Sequence, residues 1–152
     1  MAMKNKIYAA YGSNMNLKQM KRRCPKAKVI GTGEVKNYRI TFRGTNSGVA
    51  NIEESSGGAV PIVLWEITKE CEKALDIYEG HPKMYVKKDI KVVTKDGTVM
   101  AMAYVMAKEY EKLPAEPVRY YVDVIRQGYM DNKIPTDVLM EAVDKNIKEL
   151  KF

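Results

Sequence analysis

Four kinds of residue in this chain could do chemistry: a glutamate at a helix end, a serine in a tight loop, the single histidine and a set of tyrosines. Glu79 closes the run Leu75-Asp76-Ile77-Tyr78-Glu79-Gly80. Cys71, Ala74, Leu75 and Tyr78 recur at helical spacing, which predicts a helix over 68–79 with a core face of Cys71, Leu75 and Tyr78. Glu79 follows Leu75 by four residues and borders that face. A carboxylate at a helix C-terminus meets the negative end of the macrodipole, which has an electrostatic cost. If partly buried, such a carboxyl has a raised pKa and can act as general acid or base near neutrality. Position alone also fits the plainer reading, an exposed glutamate at a helix end.

Ser13 lies in Tyr11-Gly12-Ser13-Asn14, directly after the β-rich Tyr8-Ala9-Ala10. It falls short of a Gly-x-Ser-x-Gly elbow: Met15 stands where the second glycine belongs, and Gly12 directly adjoins the serine. A serine nucleophile also needs a base, and only His81 is on offer, in the turn Gly80-His81-Pro82. The loop therefore reads more readily as consecutive N–H groups able to cradle an anion. It lacks Gly-Lys-Ser/Thr and is not a P-loop. Tyr85, Tyr120 and Tyr121 fall beyond turns or near a helix start, where a hydroxyl could reach a pocket, although core aromatics with satisfied hydroxyls have the same pattern.

These side chains need elements to hold them. Residues 6–11 read as a first strand, and Asn14 or Asn16 can cap a short helix through Leu17, Met20 and Arg23 that Pro25 stops. An extended or bent stretch over 28–43 has a bend or bulge marked by Gly31 and Gly33, and a short strand covers 48–53. Ser55-Ser56-Gly57-Gly58 reads as a turn before a β-rich run over 59–67, in which Pro61 asks for an edge or a bulge. Thr68 caps the next helix, and Gly80 suits its left-handed end. Asp96-Gly97 between two β-runs, 85–94 and 98–106, marks a hairpin. Helices follow over 117–128 and from near Pro135, the last with Leu139, Ala142, Val143, Ile147 and Leu150 on one face. Short strands with helices inserted and appended predict an α+β fold, a curled sheet or small mixed β-barrel with flanking helices. Neither a linker nor a repeat divides the 152 residues, so one domain over 1–152 is expected.

Hydrophobic content of 45% against 30% charged residues excludes a disordered chain. No run nears the ~18 apolar residues of a membrane span. Met1-Ala2-Met3-Lys4-Asn5-Lys6 lacks the apolar region of a signal peptide, so Cys24 and Cys71 are expected to be reduced thiols in the cytoplasm. With one histidine and no metal-ligand spacing, no metal and no cofactor are expected. The net charge of +7 is concentrated in residues 1–50, with 11 Lys/Arg against Glu34 alone. Its densest part, Lys18, Lys21, Arg22, Arg23, Lys26 and Lys28, suits either a solvated helix face or a polyanion-binding surface. No aromatic residues interleave it, which argues against nucleic acid.

Taken together, these pieces resemble the γ-glutamylcyclotransferase family, including its AIG2-like members. The resemblance rests on Tyr8 through Asn14, Trp65-Glu66-Ile67, Glu79-Gly80, Met84-Tyr85-Val86, Tyr121, Gly128 and Ile134-Pro135. It implies a small mixed β-barrel with flanking helices. It implies Glu79 as the catalytic residue, a substrate-binding loop of Tyr8, Ala9, Ala10, Tyr11, Gly12, Ser13 and Asn14, and Tyr121 rather than Tyr120 as the later binding tyrosine. Tyr85 is a further pocket candidate. The implied reaction releases 5-oxoproline from a γ-glutamyl amino acid or amine as the substrate's own α-amino group attacks its γ-amide. The implied partner is that small molecule, with no membrane, and the chain as monomer or homodimer. Three alternatives stand beside it: a non-catalytic relative that binds a small ligand or a partner protein, a polyanion-binding module, and a serine hydrolase using Ser13 and His81.

Overall fold

The computed structural model describes residues 5–151. Met1–Lys4, part of the N-terminus read for a signal peptide, lie outside them, as does Phe152. Five strands close into a barrel in the order β1-β3-β2-β4-β5. They are β1 (Lys6–Ala10), β2 (Lys28–Arg43), β3 (Val49–Ile67), β4 (Tyr85–Thr94) and β5 (Gly97–Met106). Every pairing is antiparallel except β1 with β5, joined in parallel at Tyr8 and Met102. This arrangement gathers the C-terminal ends of β1 and β5 and the starts of β3 and β4 at one end of the barrel. The candidate site residues collect there.

One predicted turn needs correction. β2 and β3 form one long ladder whose chain reversal lies at 44–48, so the predicted 48–53 strand and 59–67 strand are parts of a single β3. Ser55–Gly58 is no turn. The register shifts between Lys36 and Tyr38, and the extra β3 residues bulge opposite Asn37, whose Oδ1 accepts from the Gly57 N–H at 3.1 Å. Gly57 takes φ +81°, which glycine supplies without strain. The bend or bulge expected at Gly31 is a second bulge, between Val29 and Gly31. Pairing with β1 ends at Val63, so Pro61 sits where β3 has a partner on one side only, as its missing N–H requires.

Among the described residues, five helices flank the barrel: α1 (Leu17–Arg23), α2 (Lys69–Glu79), α3 (Lys108–Glu111), α4 (Arg119–Asp131) and α5 (Asp137–Leu150). The four-residue α3 has no counterpart in the sequence reading. Asn16, rather than Asn14, caps α1 by accepting from the Gln19 N–H, and Thr68 caps α2 by accepting from the Cys71 N–H. Gly80 ends α2 at φ 65°. Helix α4 runs on past Gly128, which is not its terminus. A Cβ at that position would stand 2.6 Å from the Asn16 nitrogen, so Gly128 is where α4 presses against the 13–16 loop. On α5, Leu139, Ala142 and Asn146 are the buried residues, whereas Ile147 and Leu150 of the predicted face are largely exposed. Asn146 reaches the Phe42 and Ala115 carbonyls, and Arg43 bonds Glu53 and Glu149, tying α5 to the barrel wall. Cys24 and Cys71 are buried free thiols in contact, with the Cys24 Sγ–H donating to the Cys71 carbonyl at 3.5 Å.

Candidate active site

The crowded end of the barrel holds a cavity lined by Tyr8, Tyr11, Gly12, Ser13, Asn14, Ala50, Glu79, Tyr85, Tyr104 and Tyr121. The cavity measures about 30 Å³, and about 310 Å³ with the solvent-open space around it. The expected residues Glu79, Tyr8, Tyr11 to Asn14, Tyr85 and Tyr121 are brought together here. Ala9 and Ala10 are not on the cavity wall; they are buried strand residues that carry Tyr8 and Tyr11 into place. Tyr120 is 71% exposed, while Tyr121 beside it turns inward. Tyr104 and Ala50 also line the cavity and were not anticipated from sequence. Only strand pairing brings them here.

The tyrosines differ in where their protons go. Tyr11 donates to the Tyr104 carbonyl at 2.5 Å, Tyr85 to the Ala50 carbonyl at 2.6 Å, and Tyr104 to Asp76 at 2.6 Å. Those protons are committed. Tyr8 instead accepts from the Asn14 side-chain amide at 2.9 Å, and Tyr121 accepts from the Ala50 N–H at 2.9 Å. Neither has an acceptor for its own proton among the described residues, so both can donate into the cavity. Burial raises the pKa of both, with the charge of Glu79 adding to the effect, so the protons stay on at neutral pH.

The loop is held from several sides. Residues 13–15 form one 3-10 turn whose bonds begin with the Met15 N–H to Gly12 and the Asn16 N–H to Ser13. The preceding N–H groups of Ser13 and Asn14 have no partner in that turn. The Trp65 indole N–H donates to the Asn14 carbonyl at 3.0 Å. At Gly12 a Cβ would meet the Ala50 methyl at 3.3 Å, so a side chain there would crowd the β3 wall.

Glu79 is the last residue of α2, and its carboxyl has no hydrogen-bond or ion-pair partner among the described residues. Surrounding protein raises its pKa to about 7, and the nearby Arg23 guanidinium pulls it partly back. Arg23 is the one member of the basic cluster drawn to the site. It donates to Asn14 Oδ1 at 2.6 Å and to Gln19 at 2.8 Å, and lies 3.7 Å from the centroid of the Tyr78 ring. Tyr78 in turn bonds Ser13 Oγ through its hydroxyl at 3.0 Å. Tyr78 is thus not on the buried face of α2, as its spacing predicts. It is 45% exposed and bridges the helix end to the loop. The other predicted cluster members, Lys18, Lys21, Arg22, Lys26 and Lys28, are exposed.

No Ser13–His81 pair forms. The partner of Ser13 is Tyr78, and His81 is not on the cavity wall; its ring packs edge-on against Tyr104 at 6.3 Å. Among the described residues, no group of three or more His, Cys, Asp or Glu is placed to hold a metal. No helix among them is long and apolar enough to cross a membrane.

A tyrosine-walled cavity at the end of a small mixed barrel, with an unpaired glutamate and a Tyr-Gly-Ser-Asn loop, defines one class of protein. Residues 8–123 match the family described as Gamma-glutamyl cyclotransferase, AIG2-like, and the chain belongs to that family. It is 30% identical to Gamma-glutamylcyclotransferase of Bos taurus over 86% of this chain and 73% of that one. It is 27% identical to Gamma-glutamylcyclotransferase of Homo sapiens over 92% of this chain and 79% of that one. A solved structure titled Gamma-glutamyl cyclotransferase superposes with a TM-score of 0.80 at 28% identity, covering 91% of this chain and 86% of that one.

Proposed function

We propose that this chain is a γ-glutamylcyclotransferase, a cytoplasmic enzyme of one domain over 1–152 that needs no cofactor and works as a monomer or homodimer. The observation that carries the reading is the unpaired Glu79 carboxyl, with a pKa near 7, in the wall of a tyrosine-lined cavity. It is supported by membership of the family and by the named activity of the relatives.

The reaction needs no protein nucleophile. Glu79, ionised, takes a proton from the substrate's α-ammonium. The freed α-nitrogen attacks the γ-amide carbonyl of the same molecule. The ring closes with two hydrogens still on that nitrogen. Glu79 gives its proton to the departing nitrogen as the amide C–N bond breaks, then takes the second proton from the ring nitrogen and passes it to the released amine, which leaves as an ammonium. The products are 5-oxoproline and a free amine. Because the attack is intramolecular, holding the reactive conformer supplies much of the rate; effective molarities reach ~10⁵–10⁸ M in well-oriented systems. A base with a pKa near the working pH contributes typically ~10²–10⁴-fold. The Tyr8 and Tyr121 hydroxyls and the first N–H groups of the loop supply donors for the α-carboxylate and the oxyanion. Ser13 is then part of a cradle. At about 30 Å³ the cavity is too small for a γ-glutamyl group, so side chains of its wall give way when one binds.

The test is 5-oxoproline release from a panel of γ-glutamyl amino acids, peptides and amines by the wild type and Glu79→Gln. Release that collapses in the variant supports the reading. Release undiminished by the variant overturns the role of Glu79, and no release from any compound overturns the activity.

A further inference from the structure

A second cleft opens on the other side of Glu79. It measures about 210 Å³ and shares Glu79, Tyr85 and Tyr121 with the inner cavity. Its remaining wall is of a different kind. Val49, Ile77, Tyr78, Gly80 and Met84 complete it, with no Lys, Arg or His among the lining residues. Among the described residues, Glu79 is the one carboxyl that lines it. The inner cavity is small and ringed by hydroxyls and backbone amides, whereas the outer cleft is about seven times larger and mostly apolar.

Ile77 sharpens the contrast. It stands two residues before Glu79 and is 83% exposed, although a large aliphatic side chain there covers no core. Tyr78 beside it is held in place by Arg23 and Ser13, so its ring is a fixed wall. A carboxyl that protonates a leaving amine must stand between the bond that breaks and the group that departs. Glu79 stands between a small polar cavity and a larger apolar cleft.

Resting on the cyclotransferase reading, we infer that the outer cleft of Val49, Ile77, Tyr78 and Met84 receives the leaving group, and selects amines and amino acids whose chain beside the scissile amide is apolar and uncharged. The small cavity takes the γ-glutamyl part. An acidic leaving group would bring its charge against Glu79 and leave its own carboxylate without a cation. A basic one would find only Glu79, which the proton transfers require.

The inference is tested by kcat/KM for 5-oxoproline release from γ-glutamyl-leucine, γ-glutamyl-glycine and γ-glutamyl-aspartate. A methylene in a hydrophobic pocket discriminates by roughly 10–200-fold, and an open cleft lies at the low end. The leucine compound should exceed the glycine compound by about tenfold, with the aspartate compound slowest. Ile77→Asp should erase most of the leucine-to-glycine ratio, and Ile77→Leu should keep it. Ile77 is so exposed that neither change disturbs the core. Similar rates for all three compounds, with Glu79→Gln inactive, would overturn the cleft's role and leave the cyclotransferase reading standing. Release from none would overturn both.

Discussion

Helix α2 presents three carboxylates toward the barrel, and the first two are treated very differently from the third. Glu72 accepts from Lys6 at 2.9 Å and from Lys87 at 2.6 Å. Asp76 accepts from Lys87 at 3.1 Å and from the Tyr104 hydroxyl at 2.6 Å. Burial pushes both pKa values up, but these partners outweigh it and hold both carboxyls below their ordinary range. Glu79, one turn further on, is given a cavity in place of partners, and burial wins. The same chemical group on one helix is thus ion-paired at one end and left unpaired in a cavity wall at the other. The paired end pins α2 to β1, β4 and β5, and that anchoring holds the unpaired end at the mouth of the cavity. Whether a carboxyl on α2 is ion-paired or left unpaired is set by what the barrel and α1 bring to it, not by its helical position.

The comparison breaks most visibly in activity. Glu79→Gln should lower 5-oxoproline turnover by ~10²–10⁴-fold. Glu72→Gln should leave the chemistry in place and act on stability, as turnover and urea midpoints measured on the same preparations will show.

The next largest effect is an opposite sign in stability. The folded-state pKa of Glu79, about 7, lies above its value of 4.5 in an unstructured chain. Ionisation therefore costs the folded state more than the unfolded one. The cost is absent below the unfolded value, grows as pH rises toward 7 and is constant above it. Glu79→Gln should thus stabilise the protein by about 1–3 kcal/mol at pH 8 and change little at pH 4. For Glu72 the folded value is depressed, so its contribution is present above the unfolded pKa and is lost as pH falls through the folded one. Its partners are partly exposed, so Glu72→Gln should cost only about 1 kcal/mol at pH 7, and less at pH 3. Urea denaturation across pH reads both curves, and equal signs would break the comparison.

The smallest effect falls on the cation that moderates Glu79. Arg23→Gln removes a positive charge that pulls the Glu79 pKa down. The acidic limb of the pH–rate profile should move upward. If Arg23 only braced Tyr78 and Asn14, the rate would fall with no shift in the limb.

Much of the site was legible because its signals are local. The Asn16 and Thr68 caps, the left-handed Gly80 and the Asp96-Gly97 hairpin each follow from a few adjacent residues. So does the placing of Glu79 at the last position of α2. What escaped was set by distant pairing. Ser55–Gly58 has the composition of a turn, but the ladder with β2 absorbs it as a bulge opposite Asn37. Gly128 looks like a helix end and is instead a contact with Asn16, more than a hundred residues earlier. Tyr78 fits a core face by spacing, yet Arg23 on another helix draws it outward. The Tyr104 side chain enters the site only because β5 lies beside β1. No window of sequence contains those neighbours.

The account turns on Glu79 changing protonation where the reaction needs it. The most direct measurement follows the Glu79 carboxyl itself, by ¹³C NMR or by infrared difference against Glu79→Gln, beside the pH dependence of kcat/KM. The account predicts that the carboxyl titrates near 7 and that the acidic limb of the rate follows the same curve. A carboxyl already ionised at an ordinary glutamate pKa, with the rate limb elsewhere, would contradict it.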